Sequence, residues 1–161
     1  MGIEIDNGNH LVFSANENFL DFCKDIESKR TLKVFPPCFG FFDLKEKKKW
    51  DLGLENSLFK ILFSQKKTLI PGSKIFDYFS FLKFLITNNN KSVYELVGKS
   101  GIYNTFWEPL TIGVMNTSPK EASAKVLSNV LKKTFFKGQK FCNILQPSLN
   151  WEQTLIKPSS E

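Results

Sequence analysis

Two stretches of this 161-residue chain set reactive or shape-making groups side by side. The first is Asp6-Asn7-Gly8-Asn9-His10, which carries the only histidine. Asn-Gly pairs make tight turns because glycine accepts a positive φ, and an imidazole exchanges protons near neutral pH. The second is Phe106-Trp107-Glu108-Pro109-Leu110, followed by Asn116-Thr117-Ser118-Pro119-Lys120-Glu121-Ala122-Ser123-Ala124. It joins a carboxylate to two aromatic rings. On residue types alone, that pair is a core helix face bearing one surface glutamate. Glu108 becomes an acid near neutral pH only where burial raises its pKa. One histidine is too few for a zinc site or a Ser-His-Asp triad. Cys23, Cys38 and Cys142 lie far apart with no Cys-x-x-Cys pair, which fits buried thiols in a reducing cytoplasm and no metal site.

These stretches need elements to hold them. Gly2 to Val12 reads as short extended segments about the Asn7-Gly8-Asn9 bend. Ser14-Ala15-Asn16-Glu17 has the form of a capping box, opening a helix that ends near Ser28. From Thr31 to Leu54 the hydrophobic period changes to two, interrupted by Pro36-Pro37 and by Lys45-Glu46-Lys47-Lys48. A small antiparallel set of strands with a charged hairpin tip is expected. Leu58 to Phe63 reads as a short helix and Gln65 to Gly72 as loop. Ser73 is expected to cap a helix over 74–87, and Ser92-Val93-Tyr94-Glu95 is a second capping box. A helix through Ile102–Leu110 should be perturbed at Pro109, which has no amide proton. Ser118-Pro119-Lys120-Glu121 signals a further helix start, with Ala122, Val126, Leu127, Val130 and Leu131 as its buried stripe. After Phe141 the chain reads as irregular.

Hydrophobic residues make up 42% of the chain and charged residues 24%, a globular balance. The 17 phenylalanines reflect either codon drift or an aromatic pocket for a long apolar ligand. The net charge of +6 comes from scattered lysines, with Lys47-Lys48-Lys49 as the one triplet. That triplet is a solvated turn or a weak attraction to an anionic membrane. No nucleic-acid-binding signature accompanies the charge. The start of the chain lacks the basic and apolar regions of a leader, and no stretch reaches the ~20 apolar residues of a spanning helix.

In order and spacing, the two stretches resemble the squalene-associated FAD-dependent desaturases, the hydroxysqualene dehydroxylases of hopanoid synthesis. These belong to the flavin amine oxidase and phytoene desaturase superfamily. The resemblance implies an FAD-dependent oxidoreductase acting on an isoprenoid substrate by reductive dehydroxylation of hydroxysqualene. It assigns cofactor contact to Asn7, Gly8, Asn9 and His10, with Gly8 keeping a side chain off the flavin ring. It makes His10 and Glu108 candidate catalytic groups, the latter protonating a leaving hydroxyl. It sets Phe106, Trp107, Asn116 and Thr117 about the substrate. Near the C-terminus the family continues through a Leu-Pro segment with a basic and an acidic residue; Gln146-Pro147-Ser148-Leu149-Asn150 departs from this.

A dinucleotide-binding unit needs a Gly-x-Gly-x-x-Gly turn, and none occurs here. The chain therefore reads as an internal piece of a larger flavoenzyme, not expected to retain FAD by itself. Its fold class is expected to be α+β, helices beside a small antiparallel sheet. Residues 1–14 would be a flavin-contacting segment and 15–161 part of a substrate domain. The alternatives are a non-enzymatic lipid-binding helical domain and a carotenoid-type desaturase. Ile75, Phe76, Tyr78, Phe79, Phe81, Leu82, Phe84, Leu85 and Ile86 are apolar nearly all round one helix. Such a helix is buried or faces lipid. A cytoplasmic protein, with a peripheral contact on the inner membrane face, is the corresponding expectation.

Overall fold

The structure is a computed structural model and describes residues 11–53, 70, 72–88 and 90–160. It is α+β, as the sequence implies. Strand β1 (Val12–Phe13) leads to helix α1 (Glu17–Asp25). Asn16 caps α1, its side chain accepting from the Phe19 amide at 3.2 Å. Ser14 is not the cap that the sequence suggests. Its hydroxyl donates to the Lys140 carbonyl and its amide to the Asn143 carbonyl, so it ties the chain's two ends together. A 3-10 turn, Ser28–Thr31, enters β2 (Leu32–Phe35).

Pro36-Pro37 then end the ladder because proline has no amide to donate. Beyond them β3 (Cys38–Asp43) and β4 (Lys48–Gly53) form an antiparallel hairpin, with Phe41 opposite Trp50 and Asp43 opposite Lys48. The Phe41 and Trp50 rings stack at 5.5 Å. The charged tip is where the sequence puts it. There Asp43 accepts from the amides of Glu46 and Lys45, which holds its carboxyl below the usual range.

The expected strand set is in fact two sheets. β2 does not join the hairpin but pairs with β5 (Ile144–Pro147), a strand in the region read as irregular. β5 is the central strand, with β1 on one edge and β2 on the other, both antiparallel. Pro147 is its last residue, opposite Leu32, where a missing donor does little harm.

The helices follow. A 3-10 turn, Ile75–Tyr78, runs into α2 (Phe79–Ile86), so the helix expected over 74–87 is two elements. Asp77 opens the first by accepting from the Lys74 amide at 2.7 Å; Ser73 instead bonds the Ile70 carbonyl and the Tyr78 hydroxyl. Helix α3 (Val93–Val97) has the expected capping box: Ser92 accepts from the Glu95 amide at 3.1 Å and Glu95 from the Ser92 amide at 2.7 Å. The Ser92 amide first, and then the Ser92 side chain, stabilise the Glu95 carboxylate and lower its pKa.

A widened π turn, Tyr103–Trp107, precedes α4 (Glu108–Met115). The cause is Pro109, whose ring and absent amide bar a regular turn before it. A second widened turn, Glu152–Ile156, stands in the same relation to Pro158. Helix α5 (Ala124–Lys133) starts later than Ser118-Pro119 suggests, with Ser123 as cap. Residues 118–122 are drawn off to brace α3: Val93 donates to the Ala122 carbonyl and Tyr94 to the Pro119 carbonyl, each at 2.9 Å.

The core lies between α2, the π turn and α5. Phe81 and Phe84 meet Trp107 at 4.5 and 4.7 Å, and Phe106 meets Phe81 at 5.2 Å. Burying one such ring stabilises by roughly 1.5–3 kcal/mol. Polar groups in this core have partners: Trp107 Nε1 donates to Ser80 Oγ at 2.9 Å, Thr111 Oγ1 to the Trp107 carbonyl, and Ser128 Oγ to the Phe84 carbonyl. Cys23 and Cys142 are buried as expected, but Cys38 is exposed at the start of β3.

Candidate functional site

An apolar chamber of about 620 Å³ lies where β1, β3, α4 and α5 converge. Period-two alternation turns Phe39 and Phe41 of β3 into it while Phe42 faces solvent. The widened turn rotates α4 so that Pro109, Leu110, Gly113 and Val114 form a second wall. Leu127, Val130 and Leu131 of α5, at the three-to-four spacing of one helix face, form a third, with Phe135 just beyond. Leu11 and Phe13 close the end, and the Phe13 and Phe39 rings meet at 6.2 Å.

Among the described residues Thr134 is the one hydroxyl in the lining, and it is already committed to the Val130 carbonyl at 2.7 Å. Those residues therefore offer an apolar guest contact area without a free side-chain donor. A shallower depression of about 420 Å³ shares Leu11, Phe13, Val130 and Thr134 with it. Glu17, Lys133 and Lys137 also line that depression, so one end of the apolar space opens beside charged groups. Chambers of this volume suit small ligands or a segment of a long one.

The sequence-derived site residues distribute unevenly about this space. Phe106 and Trp107 are fully buried and pack against α2; they stand one turn before the part of α4 that lines the chamber. Glu108 is half-buried at the first position of α4. The Tyr103 hydroxyl has its pKa raised by burial first, then by the charges of Glu108 and Tyr94. Asn116 ends α4 in the left-handed region at φ 48° and is exposed. Thr117 bonds the Met115 carbonyl at 2.8 Å. Phe106, Trp107 and Glu108 are thus contiguous, Asn116 and Thr117 lie at the far end of α4, and none of the five lines the chamber. Asn7, Gly8, Asn9 and His10, and the helix expected over 58–63, lie outside the described residues.

Sequence reasoning missed the chamber as a site. Leu127, Val130 and Leu131 of the α5 wall were legible as a stripe, but Val126, expected with them, is 51% exposed and lines no part of the chamber. The α4 wall was not legible, because its phase is set by the π turn.

A dinucleotide cofactor would need free backbone amides at a helix start to receive its pyrophosphate. At the helix starts of Asn16, Ser92 and Ser123 the cap's own side chain takes one of those amides. Among the described residues, no group of His, Cys, Asp and Glu could hold a metal ion, and no helix is long and apolar enough to cross a membrane.

No family model matches the chain, and no solved structure matches it. Three relatives do. The chain is 31% identical over 153 residues to a hydroxysqualene dehydroxylase of Zymomonas mobilis, an alignment covering 92% of the chain and 37% of that protein. It is 28% identical over 161 residues to a hydroxysqualene dehydroxylase of Rhodopseudomonas palustris, covering 98% and 38%. It is 25% identical over 160 residues to one of Sinorhizobium fredii, again covering 98% and 38%. The chain spans less than two-fifths of the length of these relatives. Alignment and the two sequence stretches agree: along nearly its whole length, this chain is related to one stretch of the hydroxysqualene dehydroxylase family.

Proposed function

We propose that the chain is the substrate-holding portion of an FAD-dependent oxidoreductase that converts hydroxysqualene to squalene, the activity that the relatives' name implies. The observation that carries this reading is the apolar chamber between the β3–β4 hairpin, α4 and α5. Its work is to strip water from an isoprenoid chain and hold it still. Each buried methylene favours binding by about 0.8 kcal/mol, so about ten would yield ~8 kcal/mol, before the unfavourable entropy of immobilisation is set against it. The redox chemistry falls to parts of the parent beyond the described residues. Glu108, half-buried beside Pro109 and Leu110 of the chamber wall, is the acid that this reading offers for a leaving hydroxyl.

The test is a chimera. This chain would replace the matching stretch of the Zymomonas mobilis protein, and hydroxysqualene turnover would be followed by gas chromatography. Squalene formation supports the reading. A folded, flavin-loaded chimera that makes none, beside an active unmodified protein, refutes it.

A peripheral membrane contact forms part of the same proposal. Ile75, Phe76, Phe79, Leu82 and Ile86 form an exposed apolar stripe on the outer side of α2 and the turn before it. An apolar substrate partitions into lipid, and an amphipathic segment lying in the interface gives access to it. The net charge of +6 favours anionic lipid.

A further inference from the structure

Glycine in a helix interior weakens the helix, so its presence there calls for a return elsewhere. Most described glycines have a reason within the protein. Gly72 and Gly138 hold φ of +74° and +105°, where side chains are strained. A Cβ on Gly98 would lie 2.5 Å from the Tyr94 carbonyl oxygen, and one on Gly101 would lie 2.5 Å from Asp77 Oδ1. Gly101 also donates its amide to that carboxylate at 3.0 Å. Gly40 sits against Asp51 across the hairpin, its Cβ position 3.4 Å from Oδ1.

Gly113 differs from all of these. It lies inside α4, has no positive φ, and a Cβ built on it meets nothing within 4 Å among the described residues. It does line the apolar chamber, between Leu110 and Val114 and in the same enclosure as Phe41 and Leu131. Gly113 is exposed and lies on the face of α4 that carries Pro109 and Leu110, so the space that its missing side chain leaves opens at the rim of the chamber.

We infer that Gly113 is a specificity-determining residue: its bare backbone leaves room for a methyl-branched isoprenoid chain to lie against α4. This rests on the function proposed above. A branched chain is thicker than a linear one at every methyl-bearing carbon, and a wall without a Cβ admits that thickness.

The test uses the full chain, tritiated squalene delivered from cyclodextrin, and the variants Gly113→Ala and Gly113→Leu. Farnesol serves as a shorter branched probe. Both variants should melt at or above the temperature of the native chain. Squalene binding should fall at least about tenfold in Gly113→Leu, a change of ~1.4 kcal/mol, and much less in Gly113→Ala. Farnesol, which fills less of the chamber, should lose less than squalene. If the native chain binds squalene and Gly113→Leu binds it equally, the role of Gly113 is refuted while the substrate-holding reading stands. If the native chain takes up no squalene, that reading itself fails and the inference falls with it. Unfolding of Gly113→Leu beside a stable Gly113→Ala would show that the wall is closed, and would also refute the inference.

Discussion

Two substitutions two residues apart in α2 should have opposite consequences. Phe81 is 5% exposed and touches Tyr78, Phe106 and Trp107 at ring distances of 6.2, 5.2 and 4.5 Å. Phe79 is 50% exposed and has Phe76 as its ring neighbour at 6.2 Å. Truncating a buried phenylalanine costs about 3–5 kcal/mol, from lost transfer energy plus the cavity left behind. For a chain of this size each kcal/mol moves the melting temperature by roughly 2–4 °C, so Phe81→Ala should melt about 6–20 °C lower. Phe81→Glu adds an unpaired buried charge, and the sum approaches a typical total stability of about 5–15 kcal/mol. That variant should not fold. Phe79 has half its surface in water already, so Phe79→Glu should cost about 1 kcal/mol and a few degrees. The assay is thermal melting by circular dichroism, paired with flotation on vesicles containing phosphatidylglycerol. Phe79→Glu should stay folded and leave the vesicles, while Phe81→Ala should melt early yet still float at temperatures where it is folded. Equal destabilisation by Phe79→Glu and Phe81→Glu would refute the two-faced helix. A folded Phe79→Glu that floats as well as the native chain would refute the membrane contact.

Further outcomes follow from the caps and the thiols. The chain, incubated with FAD and desalted, should retain no visible flavin band, because its sequence carries no Gly-x-Gly-x-x-Gly turn to receive the pyrophosphate; a stoichiometric band would contradict that. Ser92→Ala opens the capping box of α3 and should cost about 1 kcal/mol, read as a melting shift of a few degrees. Of the three cysteines, Cys38 should react at once with a thiol reagent, and Cys23 and Cys142 only on unfolding. Burial pushes the Cys142 thiol from 9.0 up to about 11, so the folded chain holds that proton more tightly than the unfolded chain. Its contribution is complete below about pH 9 and declines as pH rises toward 11, by at most ~2.7 kcal/mol; Cys142→Ser should flatten that alkaline loss.

Much of the architecture was legible from local chemistry. The Ser92 box and the charged hairpin tip are set by residues within a few positions of one another, and each stands where the sequence implies; the α5 stripe holds for Leu127 and Leu131, with Val130 half-buried, but Val126 faces solvent and Ala122 lies before the helix. Ser14 and Ser118 have the same local signature but other duties. Ser14 is bonded to Lys140, 126 residues away, and 118–122 braces α3. A cap signal cannot compete with a tertiary hydrogen bond that the sequence does not announce. β5 went unread because four residues ending in proline carry little strand signal without the neighbours that pair with them. The chamber was illegible for a related reason. Pro109 promised a perturbation, but only the structure gives its form, a widened turn that aims Phe106 and Trp107 at the core and Leu110 and Gly113 at the chamber.

The central position of β5 has a consequence in time. β1 and β2 leave the ribosome well before β5, yet neither pairs with the other; each waits for Ile144–Pro147. Non-local pairing of this kind is slow, because a long loop must close before any bond rewards it. The hairpin and the helices of residues 75–133 can form while synthesis proceeds, but the three-stranded sheet cannot. The backbone edge of β2 that pairs with β5 therefore stands open to other chains until Ile144–Pro147 has been made. A ribosome stalled before residue 144 would carry an ordered helical body with an unfinished and aggregation-prone margin.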